Sequence, residues 1–299
     1  MFNKQPPSYD IRFMDLPLSR LHVLETGQGE PLIMVPATIS ELENWQTLAQ
    51  FMGQWFHVYF FELPGHGKSS PFQEKFSSHQ VAKLVEQMAN HLGLDRFNLM
   101  GFSFGGILAM RTYQRLASRI DRLILIAPCF GRPTLPFSNS RLSILSAMNR
   151  LIEHPKVQAS FNEIIHNRKT VSITVKALQK IGRLETTISL EEKLLHTPES
   201  TLGVLNAQLN EILNTRFEAK SEKHQTPCYF AMSAYDPLLK YETALETVHE
   251  HFENVKAVRL EYPYHQPPEP FTYEELNRDF HETVDAFMHF HTEEEALPC

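Results

Sequence analysis

Cysteine is scarce in this chain: 3 residues in 299, at positions 129, 228 and 299. An odd, widely spaced set fits neither a disulfide framework nor a zinc-ligand pattern. The expected state is buried thiols in a reducing compartment. No run of about 18 apolar residues occurs, so no membrane span is expected. The first ten residues, MFNKQPPSYD, carry no apolar stretch after their lysine, so a secretory signal is not expected either. Basic blocks are also missing. The 28 Lys and Arg are outnumbered by 35 Asp and Glu, giving a formal charge of −7, which argues against a nucleic-acid partner. No internal repeat or low-complexity segment stands out. These absences leave an ordinary globular composition, and the expectation is a soluble, cytoplasmic protein with a small-molecule partner. Oligomeric state is not legible.

Glycine is sparse as well, 12 in all, yet three of them crowd around one serine in Gly101-Phe102-Ser103-Phe104-Gly105-Gly106. The surroundings of that cluster give it meaning. Residues 9–15 and 20–26 read as strands. Short apolar runs bounded by turns follow at 31–36, 57–63, 97–101 and 123–127. Between them lie a helix with Ser78 as expected N-cap, Val81, Leu84, Val85, Met88 and Leu92 at helical spacing and Gly93 closing it, and a second helix over about 104–117. The alternation resumes with a strand at 227–233, a helix at 239–252, a strand at 257–262 and a last helix at 272–290. Strands alternating with helices predict an α/β fold with a mostly parallel central sheet flanked by helices.

The stretch 131–225 interrupts that pattern. It opens with Gly131, Pro133 and Pro136 and shows helical periodicity, as at Leu142, Leu145, Met148 and Ile152. It holds no convincing buried strand and is far too long for a connection. It reads as an inserted helical cap, or lid, with residues 1–130 and 226–299 forming the sheet domain.

The serine sits directly after a strand and directly before a helix, and its motif is G-x-S-x-G. A turn that tight needs small flanking residues and lifts the serine hydroxyl clear of the sheet edge. The helix N-terminus behind it favours developing negative charge. A serine hydroxyl needs a base, and the base needs an orienting acid. Asp236, in S-A-Y-D-P, follows the strand at 227–233. His265, in Y-P-Y-H-Q-P-P-E-P, follows the strand at 257–262. Both fall on the edge where open α/β sheets bind ligands. The other histidines are placed less well. His57 begins a strand at the opposite edge, His66 belongs to a P-G-H-G turn, and His91, His289 and His291 stand late in helices. The exit of the strand at 123–127 offers no competing carboxylate.

These segments together resemble the α/β-hydrolase fold superfamily, in its cap-bearing branch. The resemblance rests on P-L-I-M-V-P-A-T-I with Trp45 downstream, on F-F-E-L-P-G-H-G-K-S-S, on G-F-S-F-G-G, and on Asp236-Pro237 with His265, Glu269 and Pro270. Glu62 stands where the family usually has aspartate, and Pro36-Ala37 where it commonly has His-Gly. The resemblance implies a catalytic triad of Ser103, Asp236 and His265, with an oxyanion hole made by the Thr38 and Phe104 N–H groups. Ala37 would be strained if its backbone needed a positive φ. Trp45 and Phe102 are the expected substrate contacts; Phe161, Ile164 and Ile165 read first as cap core.

A serine nucleophile favours acyl transfer to water over epoxide or halide chemistry, without metal or organic cofactor. The expected function is a serine hydrolase, or esterase, for a small to medium, largely apolar ester or related acyl bond. Two rivals stand beside it: a cofactor-free lyase, carbon–carbon hydrolase or acyltransferase on the same triad, and a non-catalytic ligand-binding homologue.

Overall fold

The computed structural model describes residues 5–152, 199–219, 221–267 and 271–289. Its strands are β1 (Tyr9–Asp15), β2 (Arg20–Thr26), β3 (Glu30–Val35), β4 (Phe56–Phe61), β5 (Phe97–Phe102), β6 (Ile120–Ile126), β7 (Cys228–Ser233) and β8 (Val255–Leu260). They form one sheet in the order β1-β2-β4-β3-β5-β6-β7-β8. Strand β2 is antiparallel to β1 and β4, and every later pairing is parallel. Parallel strands need helical crossovers, which cover both faces of the sheet, so the central strands must be apolar on both sides. Leu32–Val35, Val58–Phe61, Leu123–Leu125 and Cys228–Met232 are accordingly buried without a break.

The helices are α1 (Leu42–Met52), α2 (Ser78–His91), α3 (Gly105–Leu116), α4 (Asn139–Ile152), α5 (Glu199–Asn214), α6 (Tyr241–His251) and α7 (Tyr273–Met288). Helices α1 and α7 pack on one face of the sheet, and α2, α3 and α6 on the other. Helix α2 starts one residue earlier than the sequence reading places it. Ser77 is the N-cap, with extended backbone and its side chain accepting from the Gln80 N–H, while Ser78 is already helical. A cap must be extended for its oxygen to reach back to that amide. The Ser78 hydroxyl is used elsewhere, on Glu211. Gly93 follows the cap residue Leu92 with φ +66°, the left-handed turn in which glycine is favoured.

Helices α4 and α5 lie in the interruption at 131–225, whose middle, 153–198, with Phe161, Ile164 and Ile165, is outside the described residues. The pair departs from its apolar periodicity. In α4 the buried positions are Leu142, Ser146 and Asn149, whereas Leu145 and Met148 are exposed. The seam towards α5 is polar because its groups satisfy one another: Ser146 donates to Asn214 Oδ1 at 2.9 Å and Asn149 Nδ2 to the Asn206 carbonyl at 3.3 Å. Polar contacts also tie α5 to the sheet domain. Thr201 donates to the Gly65 carbonyl at 2.6 Å, and Glu211 accepts from the Ser78 N–H and hydroxyl, both at 3.0 Å.

Candidate active site

Strand β5 ends at Phe102, and the chain turns into α3 within two residues. Ser103, at the apex, has φ +53°, a left-handed conformation that costs a residue with a Cβ about 1 kcal/mol or more. The cost is met by the surroundings. Ser103 N–H donates to the Ile126 carbonyl at 3.1 Å, and the Ser103 carbonyl accepts from Gly106 and Cys129 N–H, both at 2.8 Å. The flanking glycines serve close approach, since their own φ angles are not positive. A Cβ at Gly101 would collide with the Gly105 carbonyl, and one at Gly105 would stand 2.9 Å from the carbonyl oxygens of Val35 and Pro36. So the serine carries the strain and the glycines clear the space.

Past the end of β7, Asp236 is fixed by its own turn. Its Oδ1 accepts from Leu238 and Leu239 N–H at 2.8 and 3.0 Å. The exits of β7 and β8 are tied together, with Ser233 Oγ donating to the Tyr262 carbonyl at 2.5 Å and Ala234 N–H to the Leu260 carbonyl at 2.9 Å. That tie holds the loop carrying His265 beside Asp236. His265 Nδ1 lies 2.6 Å from Asp236 Oδ2, and His265 Nε2 lies 2.7 Å from Ser103 Oγ. The carboxylate side chain is 1% exposed and the imidazole 9%. Three residues spread over 162 positions of sequence thus form one hydrogen-bonded chain at the carboxyl edge of the sheet.

The loop after β3 lies against this chain. Thr38 N–H and Phe104 N–H make no hydrogen bond to other groups among the described residues. The Phe104 ring is fully buried in the core, so only its backbone belongs to the site. Among the described non-glycine residues only Ser103 and Ala127 have positive φ, so Ala37 carries no such strain. Trp45, on α1, secures the loop by donating from Nε1 to the Ile39 carbonyl at 2.8 Å. Its ring centroid is 5.2 Å from that of Phe102, which in turn lies 5.6 Å from that of His265.

Two residues beside the site have roles that the sequence reading did not assign. Glu62 is 2% exposed and accepts from Leu42 N–H at 3.2 Å, from Lys68 N–H at 2.6 Å and from His22 Nδ1 at 3.1 Å. It clamps the entry of α1, the 62–68 turn and β2 together. Its place in F-F-E-L-P-G-H-G was visible; His22 gave no signal. His66, in the same turn, is 2% exposed, and its Nε2 lies 3.4 Å from the Gln208 amide of α5. Burial pushes its pKa down to about 4, and its Nδ1 has no partner among the described residues. Cys129 and Cys228 are buried free thiols, and burial pushes Cys129 up to about 11. Glu269 and Pro270, together with Cys299 and His291, fall outside the described residues.

A family model for the alpha/beta hydrolase fold matches residues 30–152. An alpha/beta fold family hydrolase from Bacillus anthracis superposes with a TM-score of 0.66 at 18% identity, covering 93% of this chain and 99% of that one. The chain has the α/β-hydrolase fold. N-formylmaleamate deformylase of Pseudomonas putida is 32% identical over 116 residues, 38% of this chain and 43% of that protein. The pimeloyl-[acyl-carrier protein] methyl ester esterase of Nitrosomonas europaea is 28% identical over 117 residues, 38% of this chain and 44% of that protein. The match spans less than half the length of these two relatives. Among the described residues, no helix is long and apolar enough to cross a membrane. No group of three or more His, Cys, Asp or Glu there could hold a metal ion.

Proposed function

We propose that this chain is a serine hydrolase that cleaves a carboxylic ester or related acyl bond of a small to medium, largely apolar substrate. The hydrogen-bonded chain Ser103–His265–Asp236 carries the reading. With Nδ1–H donated to Asp236, the lone pair of His265 Nε2 faces the Ser103 hydroxyl. The imidazole takes the hydroxyl proton as Oγ attacks the carbonyl carbon, and the buried carboxylate stabilises the imidazolium that forms. The Phe104 and Thr38 N–H groups, uncommitted elsewhere, are the donors for the oxyanion. His265 then returns the proton to the leaving group. A water activated the same way releases the acid and restores the serine.

The relatives that act on a formyl amide and on a methyl ester support this acyl-transfer chemistry. Residues 131–225 are the cap of this enzyme, with α4 and α5 its described part, and Trp45 and Phe102 are on the acyl side of the site. The test is a panel of short- to medium-chain and aryl esters assayed with wild type and Ser103→Ala. Ester cleavage with release of acid that vanishes in the variant is the expected result. Cleavage that survives Ser103→Ala, or none by wild type while hydroxynitriles or diketones are cleaved, would overturn it.

A further inference from the structure

Between α1 and α7, on the sheet face opposite α2 and α3, the packing leaves a cavity of about 120 Å³. Trp45, Leu48 and Met52 of α1 form one wall, and Phe280 and Val284 of α7 the other. Ile126 of β6 and Ala231 of β7 make the floor. No charged side chain lines it among the described residues; Asn44, Thr47 and Gln266 are its polar lining, and the phenol of Tyr229 is turned to Thr283 at 2.9 Å. Apolar cavities of about 150 Å³ accept apolar ligands, and most of this lining is likewise apolar.

The cavity borders the sheet edge that carries Ser103 and His265. Phe102, the residue before the serine, lines it and stacks towards the His265 ring. Gln266 and Pro267, the residues after His265, line it too. Along α1 it runs from Asn44 to Met52, eight helical steps or about 12 Å at 1.5 Å each.

We infer that this crevice is the acyl-chain pocket of the enzyme, taking the straight aliphatic tail of a medium-chain acyl group whose carbonyl lies at Ser103. The inference rests on the serine-hydrolase reading for the position of the carbonyl, and on the crevice itself for the chemistry of the tail. An aliphatic chain matches the lining because it needs no hydrogen bond. It also matches the run of the crevice along α1. Trp45 and Phe102 then act as the gate between the reacting carbonyl and its tail.

The test is calorimetric titration of Ser103→Ala protein with butanoate, hexanoate and octanoate, which needs no turnover. Burial of each added methylene predicts an affinity gain of about fourfold. Filling the crevice from either wall, with Leu48→Trp or Val284→Phe, is expected to weaken octanoate at least tenfold and flatten the dependence on chain length. Thermal midpoints establish that each variant is folded. In the serine-containing forms, the ratio of octanoate-ester to acetate-ester kcat/KM is expected to fall with either substitution. Equal octanoate affinity in both folded, filled variants, or no dependence on chain length in Ser103→Ala protein, would overturn the pocket. Labelling of wild type by a fluorophosphonate separates the two readings. A labelled serine without chain-length-dependent binding sinks the pocket alone. An unlabelled serine with such binding, lost on filling, supports the crevice and sinks the triad reading.

Discussion

The two parts of the site are held by different physics. Beneath Ser103, the buried apolar strands β5 and β7 fix the serine and the acid, and the tie between the exits of β7 and the half-exposed edge strand β8 brings the histidine to the same point. Helices α4 and α5 meet across serine and asparagine side chains, and Thr201, Gln208 and Glu211 bind them to the core beside the buried Leu142, Val204, Ala207 and Leu213. Apolar packing is dense and resists rearrangement. Exchangeable hydrogen bonds contribute little net stability each, and water replaces them readily. On the proposed function, the reacting groups stand on the apolar part and the polar seam belongs to the cap.

The largest effects are expected on the rigid side. Ser103→Ala should lower turnover on the order of 10⁶-fold while leaving the melting curve unchanged. Asp236→Asn should cost about 10⁴-fold in kcat, because an amide donor facing Nδ1 forces the wrong imidazole tautomer. A pH–rate profile of that variant tests the point, since rate should recover as hydroxide replaces the crippled base.

The clamp at Glu62 belongs to the same rigid part, although it is polar. Glu62→Ala strands two backbone N–H groups and a buried imidazole, and denaturant unfolding should show a loss of about 3 kcal/mol or more. Survival of full stability would show that the 62–68 turn is held by packing alone.

His66 marks the boundary between the two regimes. Its folded pKa of about 4 lies below the ordinary imidazole value of 6.5, so the unfolded chain binds the extra proton first. Its contribution is therefore complete above about pH 6.5 and lost as pH falls towards 4, by about 3 kcal/mol in all. Unfolding of His66→Gln and wild type from pH 8 to 4 should show the variant with the flatter dependence in that window. The smallest effect is at the α2 cap: Ser77→Ala should cost about 1 kcal/mol, read from the same unfolding curves.

Legibility followed the same division. Strands covered on both faces leave unbroken apolar runs, and the turns after β5 and β7 carry Ser103 and Asp236; His265 follows the half-exposed edge strand β8, so the sheet and the three residues that meet at its edge could be read together. The α4 stripe of Leu142, Leu145 and Met148 misled, because only Leu142 is buried and the seam uses Ser146 and Asn149 instead. Hydrophobic periodicity carries no record of side chains that satisfy each other in pairs. Ser78 was read as the cap for a related reason. Two adjacent serines offer the same oxygen, and only backbone angles decide which one is extended. The His22–Glu62 pair joins residues 40 positions apart and needed the fold to become visible.

The central claim is that Ser103 is an activated nucleophile, and a fluorophosphonate probe tests it most directly. Wild type, Ser103→Ala and His265→Ala would be incubated with the probe, weighed intact and peptide-mapped. A single adduct on Ser103, absent from Ser103→Ala and at least a hundredfold slower to form in His265→Ala, is the predicted result. Well-folded wild-type protein that takes up no probe, or that reacts at Ser103 equally fast without His265, would contradict it.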